Sequence, residues 1–276
     1  SRLKRRMKAV GWSVPIIHCV APTVWAWGRW RAKKIATVMD GLFCLFPFEP
    51  EYFKPFGLDA HFIGHPEAFG NFLPASSAGE TIEESKEKFN KIILLPGSRQ
   101  SEISLILPEM LAATAIIKRH DPNLNFVLPA VPHLLPLIES LVEGSGVTIL
   151  DQPEALIPAL HNSDAMITTA RTRAVQAALC GTVGVTCYIT SAFSGFIGRR
   201  LVDLDKVILP NAILGRPLYP FYFQEVVTGK TLAAATLDCL YDANAKSSAR
   251  HAAIELKSLL TGGAQSFDEL VIRALK

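Results

Sequence analysis

Two short stretches of this 276-residue chain carry residue types suited to gripping a phosphate. In "LLPGSRQSEI" (94–103) an apolar run ends at Gly97-Ser98-Arg99 and a helical pattern follows. Gly97 admits close approach of the backbone, Ser98 offers a hydroxyl, and the Arg99 guanidinium can fork two hydrogen bonds onto a phosphate. Glu102 falls in the first helical turn, where it favours the helix dipole and can accept from a sugar hydroxyl or hold Arg99 in place. By itself Gly-Ser-Arg is equally an ordinary strand-to-helix turn. In "TTARTRAVQAALCGT" (168–182) the run Ala165-Met166-Ile167 feeds a polar turn and then a helix-like stretch, the arrangement that sets a ligand phosphate on a helix N-terminus. No glycine stands in that turn. Arg171 and Arg173 flank Thr172 instead, so the stretch reads as a phosphate clamp or as a cradle filled in by side chains.

The elements that must position these turns are strands and helices in alternation. Continuous apolar runs predict strands at 14–20, 41–47, 61–64, 91–96, 125–130, 147–150, 165–169 and 184–189. Helical patterns lie between them at 102–119, 132–143 and 153–162, and three more close the chain at 230–242, 246–260 and 265–275. Strands that are apolar throughout and separated by helices are parallel and covered on both faces, a doubly wound α/β architecture of Rossmann-like sheets. "GHPEAFGNFLPASSAGE" (64–80) has little periodicity and reads as a linker. The expected organisation is an incomplete first domain over 1–65, a linker over 66–80, and a complete second domain over 81–276 that includes the C-terminal helices.

A hydrophobic content of 49% with 19% charged residues describes a folded chain and excludes general disorder. The five cysteines show no C-x-x-C spacing, so neither a disulfide framework nor a metal site is expected, and a reduced cytoplasmic compartment fits. His61 and His65 have the spacing of a helical zinc pair, but "HFIGH" reads as a strand entering a glycine turn, where that spacing does not align two ligands; His65 reads as a turn histidine. Every long apolar stretch is interrupted by Pro, His, Lys or Asp, so no membrane-spanning helix is expected. The net charge of +3 is unevenly placed. Arg29, Arg31, Lys33 and Lys34 follow a basic start, and all four tryptophans, Trp12, Trp25, Trp27 and Trp30, stand among them. Such a mixture suits an anionic membrane surface. Its alternative is a solvated basic face with the tryptophans in the core. No nucleic-acid module is present in the pattern, so nucleic acid is not an expected partner.

Several segments in order along the chain resemble the lipid-A-disaccharide synthase family: "APTVWAWGRWRAKKIA" (21–36), "PFEPEYF" (47–53), "FIGHP" (62–66), "LLPGSRQSEI" (94–103), "ILPNAILG" (208–215) and "PFYFQ" (220–224). The resemblance implies a GT-B fold and an inverting hexosyl transfer from UDP-2,3-diacylglucosamine to 2,3-diacylglucosamine 1-phosphate. The products are the lipid A disaccharide 1-phosphate and UDP, and no metal or other cofactor is required. It implies a UDP-sugar site made of Gly97, Ser98, Arg99, Glu102, Arg171, Thr172, Gln176, Asn211 and Gln224. It also implies a membrane and acceptor surface that includes Trp25, Trp27, Trp30, Arg29 and Arg31, on a protein that is cytoplasmic and peripheral on the inner membrane.

The chain departs from the family pattern at three places. Members normally begin further upstream, with a glycine-rich loop and an Asp acting as general base, so the chain is expected to be truncated and no catalytic residue is assigned within it; Asp40 and Glu49 read as loop or cap residues. Ala170-Arg171-Thr172 and Gln176 stand where the family has approximately S-G-T and a Glu, with Thr172 as the expected helix N-cap. Phe221 replaces an acidic residue. Three functions therefore stay open: the hexosyltransferase, a truncated non-catalytic nucleotide- or membrane-binding remnant, and a related GT-B protein acting on another UDP sugar.

Overall fold

The computed structural model describes residues 2–12, 14–26, 28–70, 89–170, 172–190 and 207–275. The chain divides into two compact units, each with its own parallel sheet. The first comprises residues 1–70, 199–206 and 257–276, and the second 71–198 and 207–256.

In the first unit, helix α1 (Arg2–Ala9) precedes strand β1 (Ile17–Cys19), helix α2 (Arg31–Ala36), β2 (Gly41–Cys44) and β3 (Asp59–Phe62). The three strands pair in the order β1-β2-β3, with β2 fully buried at the centre. Edge strand β1 is exposed along its whole length. One face of β2 packs Leu42 and Cys44 against Val24, Ala32, Phe53 and Leu58. On the other, Phe43 and Ile63 meet Leu270 of the C-terminal helix Phe267–Leu275. This is a difference from the expected organisation, in which all C-terminal helices belong to the second domain. The amphipathic helix shows that it needs a core, and its sequence does not say which one; Phe267, Leu270 and Val271 find theirs in the first unit.

The second unit holds β4 (Lys91–Leu95), α3 (Gln100–His120), β5 (Asn125–Pro129), α4 (Leu135–Val142), β6 (Val147–Leu150), α5 (Leu156–His161), β7 (Ala165–Thr169), α6 (Thr172–Leu179), β8 (Gly184–Tyr188), α7 (Leu209–Leu214), β9 (Phe221–Phe223) and α8 (Gly229–Tyr241). Helix α9 (Ala243–Thr261) follows, and Phe267–Leu275 is α10. The six strands are all parallel in the order β6-β5-β4-β7-β8-β9. That order runs outward in two directions from β4 and β7, so the sheet has its topological switch point between them. Strand β9 lies outside the strands that the sequence pattern predicts. Three residues after Pro220 are too few to show a period.

Helix α3 is long and apolar enough to cross a membrane, alone in this among the described residues. This differs from the expectation that no stretch qualifies: Pro108 and Glu109 interrupt the middle of α3, but the residues around them are apolar enough to keep the average high. Its Ile103, Ile106, Leu107, Met110, Ala113 and Ile117 are buried in the core of the second unit. Helix α8 packs closely on it. A Cβ at Gly229 would stand 2.5 Å from the Ala112 Cβ, and the Gly229 N–H donates to Glu109 Oε2 at 2.8 Å. Thr228 caps α8, its hydroxyl accepting from the Thr231 N–H at 3.2 Å.

Candidate functional site

Because the six strands of the second unit are parallel, their C-terminal ends deliver the following loops to one edge of the sheet. The loop after β4 holds Gly97, Ser98 and Arg99; after β7 come Ala170 to Thr172; β8 ends at Tyr188; β9 ends at Phe223, followed by Gln224. Ligands of open α/β sheets bind outside this edge at the switch point, here between β4 and β7.

The first loop is organised by Glu102, whose side chain is 3% exposed. Its Oε1 accepts from Arg99 Nη1 at 2.7 Å and from the Tyr188 hydroxyl at 3.3 Å, and its Oε2 accepts from the Ser98 N–H at 3.3 Å. Gly97 has φ +115°, and a Cβ there would lie 2.5 Å from Glu102 Oε2 and 3.0 Å from its Cβ. Only glycine leaves room for the carboxylate to fold back beneath the loop. Arg99 is exposed and spends one nitrogen on Glu102, so the outward part of its five-donor fork faces solvent at the sheet edge. The loop is thus a cation on a buried anionic anchor, at the N-terminus of a 21-residue helix.

The second loop is less built. Helix α6 begins at Thr172, so this residue is the first inside the helix rather than its cap, and Arg171 lies outside the described residues. Thr172 is exposed at the helix start and Gln176 is half-buried one turn further. The Thr169 hydroxyl at the end of β7 is buried and finds no hydrogen-bond partner among the described residues.

Asn211 and Gln224 spend their amides elsewhere. Asn211 Oδ1 accepts from the Leu218 and Tyr219 N–H groups, both at 3.0 Å, and its Nδ2 donates to the Tyr219 carbonyl at 2.9 Å. Those partners lie on the segment that enters β9, on the N-terminal side of the sheet, so the structure does not bring the Asn211 amide to the crevice. Gln224 adopts φ +58°, uncommon for a residue with a side chain. Its Oε1 accepts from the Thr190 N–H at 2.8 Å and its Nε2 donates to the Thr190 carbonyl at 3.1 Å, tying the ends of β8 and β9 together. Both residues hold loops instead of presenting free polar groups.

The expected membrane and acceptor surface is corrected at Trp25. That side chain is 4% exposed; its indole N–H donates to Glu49 Oε1 at 3.1 Å and it stands edge-on to Phe46 and Phe48. An indole with its one donor satisfied inside an aromatic cluster belongs to the core. Trp30 is 73% exposed and Trp12 65%, while Trp27 lies outside the described residues. Arg29 lies over the Tyr52 ring at 5.4 Å, and Arg31 opens α2.

Asp40 and Glu49 both hold loops. Asp40 accepts from the Ile16 N–H at 2.9 Å and pairs with Lys4 at 2.7 Å. Glu49 accepts from the Leu45 and Phe46 N–H groups, each at 3.0 Å. Burial pushes its carboxyl up to about 7 against the opposing pull of these donors and Trp25. His61 pairs with Asp59 at 2.7 Å on β3, while His65 is buried, stacked on Phe46 and held below its ordinary pKa by desolvation. Among the described residues no three His, Cys, Asp or Glu side chains gather as a metal site would require.

A Rossmann-type parallel sheet with a cationic loop at its switch point is an α/β fold of the nucleotide-binding type. The fold agrees with that of the kitacinnamycin glycotransferase, with a TM-score of 0.57 at 15% identity over 99% of this chain and 73% of that one. It agrees equally with Os79 from O. sativa, solved with UDP and deoxynivalenol-3-glucoside, with a TM-score of 0.58 at 8% identity over 99% of this chain and 74% of that one. The family model for lipid-A-disaccharide synthetase matches residues 1–273, and the chain belongs to this family. The lipid-A-disaccharide synthase of Burkholderia thailandensis is 37% identical over 243 residues, 87% of this chain and 62% of that protein. That of Paraburkholderia phytofirmans is 37% identical over 234 residues, covering 83% of this chain and 60% of that protein. The chain therefore spans less than two thirds of the length of these relatives.

The contact of Tyr188 with Glu102 is not legible in the sequence. The two residues are 86 apart in sequence, and an aromatic residue ending an apolar run reads as core.

Proposed function

We propose that the chain serves hexosyl transfer in lipid A assembly, from UDP-2,3-diacylglucosamine to 2,3-diacylglucosamine 1-phosphate, with its second unit holding the UDP part of the donor. The observation that carries this reading is the Arg99 guanidinium seated on buried Glu102 beside the sheet's switch point. Arg99 and the hydroxyl of Ser98 contact the diphosphate, Gly97 admits it, and Thr172 and Gln176 meet the nucleoside side, with Arg171 adding a charge. Glu102, Asn211 and Gln224 keep the loops in place. The donor's leaving UDP gains negative charge as the glycosidic bond breaks, and a cation already anchored at that point stabilises the charge without reorganising.

The acyl chains of both substrates place the reaction at a membrane. Exposed Trp30, with Arg29, Lys33 and Lys34 nearby, is suited to an anionic inner-membrane surface from the cytoplasmic side. A second reading, nucleotide binding without transfer, is favoured by Arg171 and Gln176 standing where the family motif has Gly and Glu. One assay separates the two: purified chain, UDP-diacylglucosamine and the acylated acceptor phosphate in anionic vesicles. Disaccharide formation supports transfer; UDP binding without any disaccharide supports the second reading.

A further inference from the structure

We infer that Tyr188 is a positioning residue for the donor diphosphate, acting through Glu102 on Arg99; this rests on the UDP-site reading above. Strand β7 lies between β4 and β8, and neighbouring strands are about 4.8 Å apart. The Tyr188 hydroxyl therefore reaches across the end of β7 to bond a carboxylate on the first turn of α3. It closes a bridge over the switch point, linking the unit that follows β4 to the end of β8.

The bridge has a chemical consequence. Glu102 Oε1 receives Arg99 Nη1 at 2.7 Å and the Tyr188 hydroxyl at 3.3 Å, while Oε2 receives the Ser98 N–H at 3.3 Å. These donors, among the described residues, share the two carboxylate oxygens and hold its rotation. The carboxylate in turn fixes the one end of Arg99 that is not in solvent. Without the phenol hydroxyl, the carboxylate turns about its last torsion and the exposed guanidinium swings with it. An arginine that must be ordered on binding grips a phosphate less tightly than one already ordered. Tyr188 itself touches no reacting atom in this account.

Calorimetric titration of UDP into the full chain tests this, using Tyr188→Phe, Arg99→Ala and the double variant. Tyr188→Phe keeps the ring and its packing. It is expected to weaken UDP binding roughly three- to tenfold, the range for loss of one net hydrogen bond, with a fall in the thermal midpoint too small to leave the protein unfolded at the titration temperature. In the Arg99→Ala background the same substitution is expected to have no effect, because the residue through which it acts is gone. Glu102→Gln, which preserves shape, is expected to show the same dependence on Arg99. Equal weakening by Tyr188→Phe in both backgrounds, or a lowered thermal midpoint accounting for it, would overturn the inference in favour of a structural role. If the unmodified chain binds UDP and Tyr188→Phe binds it equally well, the inference alone fails. Absence of UDP binding by the unmodified chain would remove the donor-site reading and the inference with it.

Discussion

Among the described residues each unit buries one carboxylate, and the two are used differently. Glu102 in the second unit and Glu49 in the first are 3% and 2% exposed, and each accepts backbone N–H groups from the turn that follows its sheet's strand. Their third partners diverge. Glu102 holds an arginine whose fork faces solvent, and Glu49 holds the indole of a tryptophan shut inside a cluster with Phe46 and Phe48. The Glu49 carboxyl has only neutral donors and its pKa is pushed up to about 7. A buried anion with a cation at its edge is a means of presenting charge; a buried anion among neutral donors is a means of closing a corner. The comparison teaches that burial of a carboxylate does not mark a functional site until its partner's exposure is known.

The largest effect that can break this distinction is on stability. Glu49→Ala strands one buried and two part-buried donors and is expected to cost about 3 kcal/mol, from the penalty for unsatisfied groups. Urea unfolding followed by tryptophan fluorescence reads it directly, since all four tryptophans lie between residues 12 and 30. A cost near zero would mean that Glu49 does not hold the corner.

Gly97→Ala sharpens the other side. Its Cβ enters the space of the Glu102 carboxylate at a left-handed φ, so UDP affinity should fall by about tenfold or more, given about 1–3 kcal/mol for such strain. Unchanged affinity would show that the loop does not need Glu102 beneath it.

The pH dependence is smaller and belongs to Glu49. Its folded pKa lies above the ordinary 4.5, so between about 4.5 and about 7 the unfolded chain has released a proton that the folded chain still holds. Stability of the fluorescence-detected transition should therefore decline as pH rises through that window and level off above it. Glu49→Gln should remove that decline, measured as the difference between the two unfolding series; an identical slope in both would assign the effect to another group. The smallest expected change in stability is at the surface. Trp30→Ser should alter it by less than about 0.5 kcal/mol while reducing binding to anionic vesicles in a sedimentation assay. Vesicle binding that ignores Trp30 would take the membrane reading away from this residue.

Much of the fold was legible because its central strands β2, β4, β5, β7 and β8 are largely buried on both faces. Strand β7 is buried throughout, and such a run is apolar without alternation, which signals a parallel sheet before any pairing is known. The Gly97–Glu102 loop was legible for the same local reason: a strand end, a glycine and a helix start occur within ten residues. What escaped depends on distance in sequence. The residues of W-A-W-x-x-W differ little in local pattern, so buried Trp25 and exposed Trp30 could not be told apart without knowing that Glu49 comes to meet the first. Asn211 and Gln224 belong to the donor site only by the family resemblance, and for Asn211 the sequence alone favours a turn; the backbone partners they hold, Leu218, Tyr219 and Thr190, are identified only when the segments around β8 and β9 are in place. The C-terminal helix shows an apolar face and no address, and the first unit supplies the address through Phe43 and Ile63.

The central claim is that the second unit grips a nucleotide diphosphate through Arg99 on its Glu102 anchor. Calorimetric titration of UDP into the unmodified chain and into Arg99→Ala tests it most directly. The account predicts saturable binding at one site, weakened about 10- to 100-fold in the variant by the loss of charge-assisted hydrogen bonds, and measured where the variant is still folded, since the buried Glu102 carboxylate loses its cation and stability falls as well. No binding by the unmodified chain, or the same affinity in both proteins, would contradict it.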